Sequence, residues 1–408
     1  MLSVIEAQHR ILSSFSKSKS SLIPLDQSLG SILAQDIFAS TALPPFDNSS
    51  MDGFALQAQD TSRSSPDHPV SLKVIEDIPA GFISKIQIQT GMAARIMTGA
   101  ALPIGADAVV IVEDTNLKSR HPGEPFPREV SIFRPVGIGA NIRKKGEDIL
   151  AGQKIIGEGT SLRPQDLGLL AMMGMASVQV QNPARLALFS SGDELLSIDA
   201  PLENGKIRDA NMYTLGGLAQ TEGAEVIRLG VAGDDPRSIK AMLDRAVEQN
   251  ANLIVSSAGV SVGAFDYIKQ VVEEHGNLDF WRVNVRPGKP FAFGKYRDIP
   301  FFGLPGNPVS AFVSFKLFVV PVLKLLNGIP LETQSLEKVT LMEEVSSDGR
   351  ESYLRAKITI EQGIKVARLS GHQGSGNLLS LVQANALLIV PSGVKSLPAG
   401  SVVETLLI

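Results

Sequence analysis

The residues that constrain this fold most run from Ile299 to Ser310. IPFFGL (299–304) is a short apolar run bounded by Pro and Gly, which predicts a buried strand. Pro305 and Gly306 then turn the chain, Asn307 suits a helix N-cap, and Pro308 suits the first helical position. The following VSAFVSFKLFVV predicts a helix that ends near Pro321. A strand feeding a glycine turn and a helix start aims free N–H groups and the positive end of the helix dipole at one point, which suits an anion. Just upstream, Arg286 and Lys289 alternate with Pro287, Gly288 and Pro290, placing two cations in a stiffened loop able to face the same point. Short Gly/Pro motifs are weak signals by themselves, and the same residues serve equally as an ordinary turn beside two solvated cations.

The surrounding segment strengthens the first reading. Between residues 163 and 330, RLALFSS, EVIRLG, NLIVSS and IPFFGL read as buried strands, with helical stretches such as MYTLGGLAQTEG and PRSIKAMLDRAVEQN between them. That alternation predicts a parallel sheet with helices on its faces, and in such sheets ligands bind outside the carboxyl ends of the strands. Three ends carry unusual loops: SSGDELL (190–196), SSAGVSVGAFDYIK (256–269) and the GLPGNP turn. The fourth continues as VAGDDP, with Asp234 and Asp235. Two carboxylates about 4 Å apart repel by roughly 4 kcal/mol at an effective dielectric of about 20. Convergence of Glu194, Asp234 and Asp266 therefore calls for a cation. Oxygen-only ligands suit Mg2+, held by one or two carboxylates plus substrate phosphates. Backbone N–H groups at Gly259 to Gly263 and at Gly306 and Asn307 would meet the anion. The residues alone thus predict a Mg2+-assisted site for a phosphorylated or oxyanion substrate.

The rest of the chain has a different texture. MLSVIEAQHRILSSF predicts an amphipathic helix over 3–15, and LIPLDQSLGSILAQDIFA a short strand, a turn and a second helix. LPPFDNSSMDGFAL (43–56) has loop composition and sets Asp52 beside a permissive glycine, Gly53. From about 69 to 142, short β-branched runs separated by Gly and Pro predict a mostly β insert, which leaves through the charged GIGANIRKKGEDI segment. Beyond 336 the β texture returns and predicts a small barrel; His372 sits there in a glycine-rich loop and reads as a hydrogen-bonded loop residue. The expected architecture is α/β and multidomain: an N-terminal linking domain (1–45 and 143–180), an inserted mostly β domain (46–142), an α/β parallel-sheet domain (181–330) and a C-terminal β-barrel (331–408).

Composition excludes several classes. The chain has no cysteine, which removes disulfides, thiol nucleophiles and Cys-ligated zinc, and its five histidines lack metal-ligand spacing. A net charge of −4 disfavours unspecific binding to nucleic acid or to an anionic membrane. The most apolar stretch, 311–326, is broken by Lys316, Pro321 and Lys324, so no spanning helix is expected, and the start of the chain lacks the pattern of a secretory signal. The expected location is the cytoplasm.

In order along the chain, PPFDNSSMDGFA, RIMTGA, IRKKGED, SSGDELL, KIRDAN, AGVSVGAFDYIK, VRPGKPFAFG, GLPGNPVSAF and GHQGSG closely resemble the MoeA family, the molybdopterin molybdenumtransferases that also form the C-terminal part of gephyrin. The resemblance covers almost the whole chain. It implies insertion of molybdenum from molybdate into adenylylated molybdopterin with Mg2+-dependent release of AMP, a molybdopterin adenylyltransferase as upstream donor, and a homodimer with a shared cleft in which Asp52 comes from the partner subunit. It further implies that Asp52, Thr98, Asp148, Glu194, Asp234 and Asp266 occupy the family's functional positions, with Glu194 and Asp266 managing Mg2+ and the pyrophosphate. Substrate contacts would come from Met51, Ser191, Gly192, Asp193, Gly259, Ser261, Gly263, Arg286, Pro287, Gly288, Lys289, Pro305, Gly306, Asn307, Pro308 and Ser310. The soft ligands for molybdenum would be the substrate's own sulfurs, consistent with the missing cysteines.

Three positions depart from the family pattern: Phe54 where tyrosine is common, Ala258 where a glycine begins GGVSVG, and Ala264 where an acidic residue often stands. They bear on the tuning of the site, including molybdate against tungstate. The competing readings are a molybdopterin adenylyltransferase, which resembles 180–330 alone, and a non-catalytic gephyrin-like scaffold. The β insert, the MDGFA segment and the C-terminal barrel argue against the first, and the loop carboxylates against the second.

Overall fold

The computed structural model describes residues 1–117, 125–258, 264–331 and 336–408, the side chains of 258 and 264–266 excepted. The chain forms two compact units. The larger comprises Met1–Gln35, Glu158–Leu167 and Ala176–Ile408, and the smaller Asp36–Gly157 and Gly168–Met175.

The larger unit is built on a six-stranded sheet in the order Glu225–Ala232, Arg185–Ser191, Leu253–Ala258, Ile299–Leu304, Pro290–Tyr296 and Gly276–Arg282. The four strands expected from the sequence run parallel. The last two are antiparallel to their neighbours, so the sheet is mixed and not purely parallel. For Pro290–Tyr296 against Ile299–Leu304 the cause is the tight turn after Tyr296, where Arg297 adopts φ 51. A turn this short joins antiparallel strands, whereas a parallel pair needs a crossover of a dozen residues or more.

Successive residues of the central strands serve two cores. Leu186, Leu188, Leu253, Val255, Phe302 and Leu304 pack on one face with Leu215 and Phe318. Ala187, Phe189, Ile254 and Phe301 pack on the other with Ile239, Leu243, Ile268 and Val272. Both faces are covered, which is why these strands read as continuous apolar runs. Phe291 lies 4.5 Å from Phe318 and 6.4 Å from Phe302, centroid to centroid. Truncating such a ring to alanine costs about 3–5 kcal/mol. The N-terminal helix, Val4–Leu12, carries a capping box between Ser3 and Glu6 and adds Val4, Ala7 and Ile11 to the same core.

Two local expectations fail. SILAQDIF is not a helix: Ile32 and Leu33 bridge to Ser161 and Val180, and Ile37–Phe38 pairs with Lys154–Ile156. These cross-chain partners override a weak local helical preference. The helix after Pro308 does not stop near Pro321 either. It runs as Pro308–Ser314, a π-turn at Phe315–Val319, and Val320–Leu326. Widening the hydrogen-bond ladder in the π-turn lets Pro321, which has no N–H, enter the first turn of a fresh helical segment. This stretch has the length and apolarity of a membrane span, with mean hydropathy 2.0, but 78% of it is buried in the fold.

The C-terminal strands close a barrel: Glu351–Glu361 pairs with Ile364–Leu369, which pairs with Glu337–Leu341, then Val402–Leu407, then Ala386–Val390, which returns to Glu351–Glu361. Val339, Leu354, Ala367, Leu388 and Val403 fill it. Val285–Arg286 attaches in parallel to the start of Glu351–Glu361.

The smaller unit holds a five-stranded sheet in the order Ala108–Ile111, Gly53–Leu56, Met92–Ile96, Val70–Ile78 and Glu129–Ile132. The GFAL of the MDGFA segment is thus a fully buried central strand, not a loop. Gly53 is required for close approach, since a Cβ there would lie 1.9 Å from the Val110 carbonyl oxygen.

Candidate active site

The carboxyl ends of the parallel strands in the larger unit border a cavity of about 320 Å³. Glu194 and Leu195 from the GDEL loop, Ile207–Asn211 from the KIRDAN segment, Pro290, and Pro305–Pro308 from the GLPGNP turn line it.

The GDEL loop is shaped by its neighbours. Gly192 N–H donates to the Ala232 carbonyl, and Leu195–Leu196 pairs in parallel with Ile207–Arg208. Gly192 has φ 152, and a Cβ there would come within 2.7 Å of the Glu194 carboxylate. The Asp234 amide donates to Asp193 Oδ1 at 3.2 Å, which draws the adjacent strand end onto the loop. Asp193, Glu194 and Asp234 therefore share one locality. Burial raises the Asp234 carboxyl above its ordinary range, the Asp193 and Glu194 charges push the same way, and a backbone contact with Asp193 opposes them. Asp234 Oδ1 is buried with no hydrogen-bond partner. Its neighbour Asp235 instead caps helix Pro236–Glu248, accepting from Arg237 N and Ser238 N at 2.9 and 3.0 Å.

The facing wall is the GLPGNP turn. Asn307 occupies the N-cap position with no side-chain cap bond, Pro308 opens the helix, and Ser310 is buried. Gly306 and Asn307 are exposed. Arg286, Pro287 and Gly288 are half-buried or buried, a Cβ at Gly288 would lie 3.5 Å from the Ser310 carbonyl oxygen, and Lys289 is exposed. Arg355, 1% exposed, donates to Ser380 Oγ and to the His372 and Gly374 carbonyls. Burial, and secondarily the nearby Arg286, disfavours its charge. Val309 N–H donates to the Ser375 carbonyl, which ties the GHQGSG loop to the first helical turn. His372 Nδ1 accepts from Gly374 N–H, the loop role expected for it.

Strand-end serines sit behind the GDEL loop. Ser190 Oγ and Ser257 Oγ are 2.9 Å apart, and the Ser191 hydroxyl is buried without a partner.

Four of the expected residues lie in the smaller unit. Asp52 Oδ1 accepts from Thr98 N at 2.7 Å and Thr98 Oγ1 at 2.8 Å. Asp148 is paired with Arg143, and the Met51 carbonyl accepts from Ser49 Oγ. Gly259, Ser261, Gly263 and the Asp266 side chain lie outside the described residues.

Among the described residues no group of three or more His, Cys, Asp or Glu side chains is set to cage a metal. An orphaned Asp234 oxygen facing two like charges nevertheless fits a cation held by one or two carboxylates and completed by substrate phosphates and water. Arg208, Asp209, Asn211, Pro290 and Arg355 were given no role from sequence. KIRDAN was a recognisable motif directly before a helix, but nothing in one dimension assigns its side chains to the cavity.

Three family models match in succession: the MoeA N-terminal region, domains I and II, over 2–174; a probable molybdopterin binding domain over 187–325; and the MoeA C-terminal region, domain IV, over 338–408. Molybdopterin molybdenumtransferase 2 of Mycobacterium tuberculosis is 37% identical over 410 residues, covering 98% of each chain. The molybdopterin molybdenumtransferase of a Nostoc species is 35% identical over 392 residues, 94% of this chain and 88% of its own. Two solved MoeA proteins from Pyrococcus horikoshii superpose with TM-scores of 0.85 and 0.80 at 33% and 31% identity, each covering 100% of this chain and 99–100% of its own. By whole-length similarity in sequence and in fold, this chain belongs to the MoeA family.

Proposed function

We propose that this protein is a molybdopterin molybdenumtransferase, acting in the cytoplasm on adenylylated molybdopterin and molybdate and releasing AMP. The observation that carries this reading is the two-sided cavity. One wall carries Glu194, with Asp193 and the raised, orphaned Asp234 grouped beside it; the other offers the Gly306–Asn307 turn and Pro290, which directly follows the Arg286–Lys289 segment. A substrate with a phosphoanhydride and a separate oxyanion needs both.

Glu194 and Asp234, joined by Asp266, would hold Mg2+, which supplies Lewis-acid stabilisation of the charge on the pyrophosphate as its P–O bond breaks. The other tasks fall to this chain's own groups. Asp193, fixed by the Asp234 amide, shapes the carboxylate wall. The Gly306 and Asn307 amides, Ser310, Arg286 and Lys289 bind and orient oxyanions, either the pterin phosphate or molybdate, and Ser261 serves with them. Ser191, Gly259, Gly263, Pro287, Pro305 and Pro308 give the surrounding surface its shape. The dithiolene sulfurs of the substrate take the molybdenum.

Asp52, Thr98, Asp148 and Met51 enter this reading through a homodimer, in which they complete the partner's site. The family resemblance supports that assignment. The upstream donor is a molybdopterin adenylyltransferase. The boundaries at 45, 142, 180 and 330 stand as the proposed domain limits.

The test is AMP release by purified protein from adenylylated molybdopterin and Mg2+, with and without molybdate. Molybdate-dependent release, with molybdenum retained on the pterin, is expected. Binding of the adenylylated pterin without release would favour a carrier role and turn attention to Ala258 and Ala264.

A further inference from the structure

Two of the residues lining the cavity carry buried oxygens with nothing to accept. Asp209 is 9% exposed and Asn211 5%. Asp209 Oδ1 accepts from Met212 N–H at 3.2 Å, at the start of helix Asn211–Thr221, while Oδ2 is buried and has no partner. Asn211 Nδ2 donates to the Gly306 carbonyl at 2.8 Å, which fixes the amide orientation and leaves Oδ1 buried and without a partner. The structural duty of each side chain thus uses one polar atom and leaves an acceptor over. Buried polar groups are normally paired, and two exceptions lining one cavity call for a ligand that carries donors.

The identity of that donor group follows from the pairing. The Watson–Crick edge of adenine sets one amine donor beside a ring-nitrogen acceptor, so an acceptor pair fits half of it and repels the other half. The amino-lactam edge of a 2-amino-4-oxo pyrimidine, the ring a pterin carries, sets an N–H beside an exocyclic amine, two adjacent donors. Leu195, Ile207 and Pro290 supply apolar cavity surface for the flat ring.

We propose that Asp209 and Asn211 are the specificity pair that reads the amino-lactam edge of the pterin. The assignment rests on the substrate class proposed above.

The experiment is a fluorescence titration of the full-length protein with 6-hydroxymethylpterin, with its 2-oxo counterpart 6-hydroxymethyllumazine, and with adenosine as competitor. The wild type should prefer the pterin to the lumazine by about tenfold or more, because a site built around donors rejects an analogue that lacks one. Asp209→Asn keeps an oxygen for Met212 N–H but turns the free acceptor into a donor. It should weaken pterin binding by about tenfold and erase the preference, with an unchanged unfolding midpoint. If that variant misfolds, Asn211→Ala is read in its place. Unchanged affinity and preference in a folded variant, stronger competition by adenosine than by pterin, or no pterin binding by the wild type would each overturn the inference. Molybdate-dependent AMP release by the wild type is read separately, so failure of the pterin pair and failure of the transferase reading are told apart.

Discussion

Asp52 and Asp234 are both aspartates expected at the site, and their surroundings are opposite. Asp52 is served by Thr98, whose amide and hydroxyl both reach Oδ1. Asp234 sits among Asp193 and Glu194 with a buried oxygen unmatched. The first is a carboxylate met by two donors on one oxygen and fixed in place. The second is held where burial and two like charges disfavour its charged form. In the proposed function the rigid carboxylate suits positioning a substrate, and the frustrated one suits a metal.

The largest effect should follow from removing one member of each kind. Glu194→Gln and Asp52→Asn are each expected to lower AMP release by about 10³-fold or more, the scale on which removal of a key electrostatic group acts, with circular dichroism unchanged. Mixing the two variants under subunit exchange should restore part of the activity. No recovery with exchange verified would put both residues in one subunit's site and break the shared-cleft proposal.

A smaller effect is expected from Gly192→Ala. The added methyl would meet the Glu194 carboxylate at 2.7 Å and displace it. A loss of about 10- to 100-fold in kcat/KM is expected, equivalent to about 1.4–2.7 kcal/mol. Wild-type kinetics in this variant would mean that the position of Glu194 is not critical.

The smallest effect is on stability. A carboxyl raised in the folded state destabilises that state as pH climbs from the unfolded value through the folded one, and the penalty persists at neutral pH. Asp234→Asn should therefore raise the unfolding midpoint slightly at pH 7 without metal and leave it unchanged at pH 3. Millimolar Mg2+ should stabilise the wild type at pH 7 more than the variant. Equal Mg2+ shifts in both would remove Asp234 from the metal's surroundings.

Much of this contrast was legible in the sequence because it is carried by local chemistry. GDEL, GLPGNP and the four apolar strand runs are read from composition and punctuation, and topology then brings their ends to one edge. Local chemistry did not separate Asp234 from Asp235: the family resemblance singled out Asp234, and only the placed strand end shows Asp235 turned away as the cap of the following helix. The same limit hid Asp209 and Asn211, whose significance lies in what their second oxygens fail to touch. SILAQDIF and Pro321 misled for a related reason: cross-chain pairing and a π-turn set those backbones, and neither leaves a local signature.

The strand Val285–Arg286 pairs with Glu351–Ser352, and the first turn after GLPGNP is tied to Ser375. On a ribosome, where synthesis advances at about 5–20 residues per second, the carboxylate side is complete in the nascent chain while this support is still unmade. The wall proposed to bind the anion is therefore steadied by residues that follow it in the chain, and a product stopping short of Ser375 would retain its acidic loops without those supports.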